Sequence, residues 1–173
     1  MKTLVIFSHS YQDQSVSNKA IEKVLRAEQD IEVRNLEELY PDGKIDVAAE
    51  QAALLSADVI VFQHPTFWFN IPSLLKKWMD DVLTYGFAYG TGGDKLHGKK
   101  FIQSLTTGSG ADTYTPALQE MLYAPIRTSA QFCGMEYLEP HSAFGLLALT
   151  NPDAAEKATV HAKKLVERIK SLG

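Results

Sequence analysis

Cysteine is nearly absent: Cys133 stands alone among 173 residues, so no disulfide can close within the chain and a reducing compartment is expected. Long apolar runs are absent too. None approaches the ~20 residues that a membrane-spanning helix needs. The start, Met1-Lys2-Thr3-Leu4-Val5-Ile6-Phe7, turns polar too soon for a signal peptide. Neither charge sign is in large excess: 17 basic against 21 acidic residues leave −4, which argues against nucleic acid as the main partner. No repeat, low-complexity tract or linker divides the chain. The eleven glycines form neither GxGxxG nor a P-loop, so a Rossmann dinucleotide site and a nucleoside triphosphatase both lack support. Metal-ligand spacing, paired carboxylates and a Ser-His-Asp constellation are likewise missing.

What is present is ordinary globular material, 45% hydrophobic and 22% charged. A chain of this length buries roughly 70% of its unfolded surface, enough for one core. A single domain over 1–173, in the cytoplasm, is expected. Short unbroken apolar runs, Leu4 to Phe7, Val59 to Phe62 and Phe101 to Leu105, read as strands buried on both faces. Ile31 and Val33 alternate with charges, as on a strand nearer the edge, and a short fifth strand is expected near Met135 to Leu138. Helical spacing follows Ser15, where Ser15 or Ser17 can cap the start. It recurs from Ala48 to Leu55, from Pro72 through Leu83, from Tyr114 to Phe132, and from Asp153 to Leu172. Strand-helix alternation repeated five times predicts an α/β fold with an open, mostly parallel sheet and helices on both faces. Such sheets bind ligands beyond the carboxyl ends of their strands.

Three loops lie there. Ser8 to Asn18 brings His9, Ser15, Ser17 and Asn18 to a helix N-terminus, where free N–H groups and the helix dipole suit a phosphate. The same residues could simply cap the helix, and the loop alone does not choose. His64-Pro65-Thr66-Phe67-Trp68-Phe69-Asn70-Ile71-Pro72 sets three consecutive aromatics between prolines. Consecutive side chains cannot all face one core, so at least one ring is expected at a ligand, a flat conjugated one for choice, or at a subunit interface. Thr106 to Tyr114, with Gly108 and Gly110, offers amides and hydroxyls to an anionic atom.

The stretch from His64 to Leu83, followed by Gly86-Phe87-Ala88-Tyr89-Gly90, Lys95-Leu96-His97-Gly98-Lys99 and Thr106-Thr107-Gly108, resembles the signature of the flavodoxin-like NAD(P)H:quinone oxidoreductases. Within that family it is most similar to the short bacterial members, including ancillary proteins of glutathione-regulated potassium-efflux systems. The resemblance implies a flavodoxin-like three-layer sandwich with a five-stranded parallel sheet of order 2-1-3-4-5. It implies a non-covalent flavin, a homodimer, and two-electron reduction of quinones by NADH or NADPH in a ping-pong cycle. It also implies that His9, Ser15, Ser17 and Asn18 surround the flavin phosphate. Pro65, Thr66, Phe67, Trp68 and Phe69 would line the isoalloxazine, and Thr107, Gly108, Ser109 and Tyr114 its pyrimidine side. Reduction places negative charge on the N1–C2=O edge, so the Gly108 and Ser109 amides and the Tyr114 hydroxyl are the candidate catalytic donors.

The larger animal members carry a histidine a few residues beyond the tyrosine. Here Pro116-Ala117-Leu118-Gln119-Glu120 stands there, so no proton relay carries over. Many relatives have tyrosine where Phe67 stands. The short chain favours FMN over FAD, because the FAD-binding relatives use extra chain for the adenosine. Phe87 and Tyr89 are expected to reach across a two-fold axis to the partner's flavin. Lys95, His97, Lys99 and Lys100 could attract NAD(P)H phosphates or form a solvated basic turn. Trp78, Met79, Val82 and Leu83 read as a core or interface face, Cys133 as a buried apolar residue, and His141 and His161 as solvent or packing residues. Two other functions fit the same fold: a single-electron flavodoxin-type carrier, and a regulatory subunit docked on the cytosolic face of a potassium-efflux transporter. The second would bring the protein to the inner membrane through its partner.

Overall fold

The computed structural model describes all of residues 1–173. In chain order the elements are β1 (Thr3–Phe7), α1 (Val16–Arg26), β2 (Ile31–Asn35), α2 (Leu36–Leu39), α3 (Val47–Ser56) and β3 (Val59–Pro65). There follow α4 (Ser73–Val82), β4 (Lys100–Thr106), α5 (Pro116–Phe132), β5 (Glu136–Tyr137), β6 (His141–Ala143) and α6 (Ala154–Lys170). The sheet is parallel, of order β2-β1-β3-β4-β5, with β6 also paired to β4. The order reverses between β1 and β3, so the loops after β1, β3 and β4 open at one edge, as the alternation requires.

Side chains of the inner strands alternate between two cores, the period-two pattern of a sheet covered on both faces. Leu4, Ile6, Ile60, Phe62 and Phe101 enter one core with Leu54, Trp78 and Ile126 of α3, α4 and α5. Val5, Phe7, Val59, Val61 and Ile102 enter the other with Ile21 and Leu25 of α1 and Leu165 of α6. Ala158 and Ala162, one helical turn apart and fully buried, let α6 approach this second core closely. Under the first core the buried Glu50 carboxylate accepts hydrogen bonds from Arg34 Nε at 2.8 Å, Tyr40 Oη at 2.5 Å and Trp78 Nε1 at 2.9 Å. That set locks β2, α3 and α4 together.

Several boundaries differ from the sequence reading. Pro72 is the N-cap of α4 rather than its first residue. Helix α5 starts at Pro116, with the Thr115 side chain accepting the Leu118 amide, so Tyr114 belongs to the loop. The fifth strand is broken. Between the pairs Phe101–Tyr137 and Ser104–His141 the edge strand carries one residue more than β4, a bulge that contains Pro140. Phe87 is buried in the first core of its own subunit rather than standing free at the surface. Tyr89 stays partly exposed, against Tyr85 and Phe132. No helix is long and apolar enough to cross a membrane.

Candidate functional site

Loop one runs from β1 into α1. Ser15 is the N-cap: its oxygen accepts the Asn18 amide and Asn18 Nδ2, both at 3.2 Å, which leaves its hydroxyl proton free. The Val16 and Ser17 amides, in the first turn of α1, have no partner within the chain. The His9 ring is buried, and its Nδ1 accepts the Tyr11 amide at 3.0 Å. An accepting Nδ1 puts the proton on Nε2, as a free donor. Burial pushes the His9 imidazole below its ordinary pKa, so it acts as a neutral donor. Ser17 behaves differently from the sequence expectation. Its hydroxyl donates to the Leu146 carbonyl at 2.7 Å and is occupied, so only its amide can meet an anion.

Loop two holds the strained feature of the molecule. Phe67 and Asn70 exchange two backbone hydrogen bonds, each 3.0 Å, closing a tight turn on Trp68 and Phe69. Both central residues have positive φ, 49° and 59°. This is the geometry of a type I′ turn, which normally takes Asn-Gly. Two bulky aromatics there cost about 1–2 kcal/mol each, and such strain gathers at functional sites. The Trp68 and Phe69 amides have no partner within the chain, and the Trp68 side chain is 95% exposed. The Phe67 ring turns the other way. It stands edge-on to His9 at 5.4 Å and to Tyr11 at 5.8 Å, bracing loop two on loop one. Pro65 is buried at the end of β3, and Thr66 donates its amide to the Thr106 carbonyl at 2.8 Å. The Thr66 hydroxyl is buried with no partner, as is Asn18 Oδ1.

Loop three follows β4. Thr107 is spent on structure: its amide donates to Ala143 and its hydroxyl to the Ser109 carbonyl at 2.8 Å. The Gly108, Ser109 and Gly110 amides are free. The buried Tyr114 ring lies 6.3 Å from Phe69 and 5.3 Å from Phe144, joining loops two and three. A fourth loop, after β6, was not singled out from sequence. Its Gly145 and Leu146 amides donate to the Ser109 and Thr107 carbonyls at 2.7 and 2.8 Å, and its Leu146 carbonyl takes the Ser17 hydroxyl. It therefore ties loop one to loop three. The only sequence signal was Phe144-Gly145 after a short strand.

The arrangement offers three groups of unengaged amides, one helix N-terminus, one neutral imidazole donor and two orphaned buried oxygens around a single sheet edge. Such donors suit a phosphate at loop one and a flat, heteroatom-rich ring over loops two and three. The residues thus fit a flavin mononucleotide on this structure's own terms. The Ser15 hydroxyl, the Val16 and Ser17 amides and His9 Nε2–H would hold the phosphate, while Asn18 Nδ2, engaged by Ser15 and Thr106 at 3.2 and 3.4 Å, ties loop one to the end of β4. The loop two and three amides would hold the ring. Beside the turn, a cavity of about 370 Å³ opens between α4 and α5, lined among others by His64, Thr66, Phe69, Met79, Met121 and Pro125. Lys95, His97, Lys99 and Lys100 lie at the opposite end of β4, where Lys99 Nζ and Lys100 Nζ donate to backbone carbonyls. They belong to the solvated-turn alternative. His161 is buried, its ring tilted 31° to that of the half-buried His141 at 4.2 Å, so it is a packing residue.

Comparison with known proteins agrees with this fold. The profile of a family described as having a flavodoxin-like fold matches residues 1–169. The chain is 44% identical over 142 residues to a glutathione-regulated potassium-efflux system ancillary protein, KefF, of Salmonella dublin, spanning 80% of this chain and 81% of that one. Among solved structures, general stress protein 14 of Treponema denticola in complex with FMN superposes with a TM-score of 0.90 at 34% identity, over the whole of both chains. An NADPH-quinone reductase from P. pentosaceus shares the fold, with a TM-score of 0.80 at 24% identity over 95% of this chain and 97% of that one.

Proposed function

The chain belongs to the flavodoxin-like fold family, and on that premise we propose that it is an FMN-dependent NAD(P)H:quinone oxidoreductase. The observation that carries the reading is the turn at Trp68 and Phe69, where two bulky aromatics hold a left-handed conformation and leave their amides without partners. A turn with only a structural task would take Asn-Gly there, at less cost. FMN binding is supported by the FMN complex of the 34% identical Treponema protein.

When bound, FMN supplies the two-electron hydride chemistry, and the protein's part is binding, orientation and electrostatics. The loop-one donors, with the α1 dipole behind them, would hold the phosphate by hydrogen bonds. The Gly108 and Ser109 amides, with the Tyr114 hydroxyl, act as fixed donors where negative charge develops. Trp68 and the Phe69–Tyr114–Phe144 aromatic group bound the open side, where NADH or NADPH and then the quinone bind in turn. One NAD(P)H and one proton are consumed for each quinone reduced to hydroquinone. The working unit is a homodimer: an apolar stripe on α5 carries Met121, Pro125 and Phe132, and continues from Phe69 at one end to Tyr89 at the other. Exposed apolar surface of that extent fits a second copy.

A second reading is favoured by one observation, the 44% identity to an ancillary protein of a potassium-efflux system. Under it the protein also docks on the cytosolic part of such a transporter, and the enzyme activity and the docking coexist. Adding FMN and then NADPH to the purified protein under anaerobic conditions tests the main reading. Saturable FMN binding followed by bleaching of the flavin band is expected; bound flavin that NADPH leaves oxidised points to a one-electron carrier instead.

A further inference from the structure

Behind the Pro65–Asn70 loop a line of hydrogen bonds crosses the sheet. Tyr137 Oη donates to Gln103 Oε1 at 2.9 Å. Gln103 Nε2 lies 3.3 Å from the Leu122 carbonyl oxygen and 3.3 Å from His64 Nε2. His64 Nδ1 lies 2.9 Å from the Pro65 carbonyl oxygen. Gln103 and His64 are buried, and His64 is the polar group set deepest in the wall of the α4–α5 cavity.

The directions of these bonds follow from the end members. A carbonyl can only accept, so Leu122 fixes which end of the Gln103 carboxamide carries its two N–H groups. Tyr137, donating to the other end, agrees. His64 Nε2 then faces an N–H and must present its lone pair. The proton is left on Nδ1, where the acceptor-only Pro65 carbonyl requires it. Both ends of the line impose the same tautomer.

We propose that His64 is a positioning residue for the strained turn: its Nδ1–H holds the Pro65 carbonyl and so sets the direction in which the chain leaves the sheet toward Trp68 and Phe69. The proposal rests on the flavin reading for what that turn receives. Its physical need is plain. Proline has no N–H, Pro65 is the last residue of β3, and two left-handed residues follow within four positions. A chain leaving the sheet there relaxes toward ordinary φ unless its base is held. The Thr66 amide bond to Thr106 holds one side of that base, and the His64 imidazole holds the other. Tyr137, on the edge strand, is the outer end of the line and orients His64 through Gln103.

The test has two arms. The first uses the flavin-free protein with 15N-labelled histidine and reads the His64 ring nitrogens near neutral pH. A protonated Nδ1 with a pyridine-like Nε2 is expected; the opposite tautomer overturns the proposal. The second measures FMN affinity by fluorescence quenching, with folding followed by circular dichroism and thermal midpoint. His64→Asn keeps an N–H near the Nδ1 place and is expected within about threefold of wild type. His64→Leu, of similar size without a donor, is expected to bind about tenfold or more weakly, the loss of one buried hydrogen bond. Equal affinity for all three overturns the proposal. If His64→Leu does not fold, Tyr137→Phe carries the test: FMN binding about two- to fivefold weaker supports it, and unchanged binding with an unchanged ring-nitrogen signature overturns it. Should wild type itself fail to bind FMN, the flavin reading falls. The ring nitrogens, and the Thr66–Asn70 amide shifts in His64→Leu against His64→Asn, then still decide what His64 positions.

Discussion

The hydroxyl of Ser17 donates to the carbonyl of Leu146 at 2.7 Å, joining residues 129 positions apart. A serine at a helix N-terminus beside free amides invites assignment to a phosphate. Here it instead fastens the loop after β6 to α1, and Ser15 keeps the free hydroxyl. Ser17→Ala is therefore expected to lower stability by about 1–2 kcal/mol, since a buried carbonyl loses its partner, and to weaken FMN binding less than about fivefold. Ser15→Ala removes the cap as well as the free donor, and is expected to weaken FMN binding about tenfold or more. Urea unfolding and FMN titration on the two variants separate the roles.

The turn at Trp68 and Phe69 sets stability against function. Trp68→Asn combined with Phe69→Gly installs the pair that a type I′ turn prefers. The unfolding free energy is expected to rise by about 1–2 kcal/mol or more as the left-handed strain is relieved. FMN binding should persist, because the amides remain in place. Flavin reduction by NADPH should slow at least about tenfold without the aromatic rings. Urea unfolding and anaerobic stopped-flow absorbance check both halves, and a double variant no more stable than wild type would remove strain from the interpretation.

Acid should loosen the fold through its buried imidazoles, since burial holds His9, His64, His141 and His161 all below the ordinary value. Burial pushes His64 down to about 4, and burial with the neighbouring His141 and Lys164 pushes His161 down to about 3. The unfolded chain, with histidines near 6.5, takes up these protons first. Stability is thus full above about pH 6.5 and falls as the pH drops toward those values, by about 1.4 kcal/mol per pH unit for each group. In His161→Gln, whose amide can still reach Ser104, the fall between about pH 6 and 4.5 is expected to lose one imidazole's share, about 1.4 kcal/mol per pH unit. Thermal midpoints across that range measure it.

Glu50 holds a structural rather than a functional post. Its carboxylate collects Arg34, Tyr40 and Trp78 under the first core, and Arg34 is held firmly charged by it. Glu50→Gln removes the closer of the two carboxylates paired with Arg34, leaving Glu32 at 3.4 Å, and is expected to cost about 2–3 kcal/mol. FMN affinity of the folded fraction should not change. Chemical unfolding and flavin titration on the same sample make the comparison.

Much of this architecture was legible in the sequence for a physical reason. Leu4 to Phe7 and Val59 to Phe62 are buried on both faces, so their apolar runs are unbroken and their partners, loops and sheet edge follow. The run Phe67-Trp68-Phe69 marked the site, since three adjacent rings cannot share a core. The division of labour among those rings was not legible. It depends on positive φ at Trp68 and Phe69, and sequence rules reserve such a turn for Asn and Gly. The burial of Phe87 was not legible because a long loop gives no periodicity to say which ring points inward; the structure places it in the first core. The fourth loop and the Tyr137–Gln103–His64 line escaped for another reason. Each joins residues far apart in the chain, and single-sequence patterns carry no information about such contacts.

The decisive measurement is the visible spectrum of the purified protein titrated with FMN under anaerobic conditions and then mixed with NADPH and a simple quinone. One FMN bound per chain, loss of the flavin band on adding NADPH, and its return on adding quinone are expected. Failure to bind FMN, or bound flavin that neither NADPH nor NADH reduces, would contradict the oxidoreductase reading.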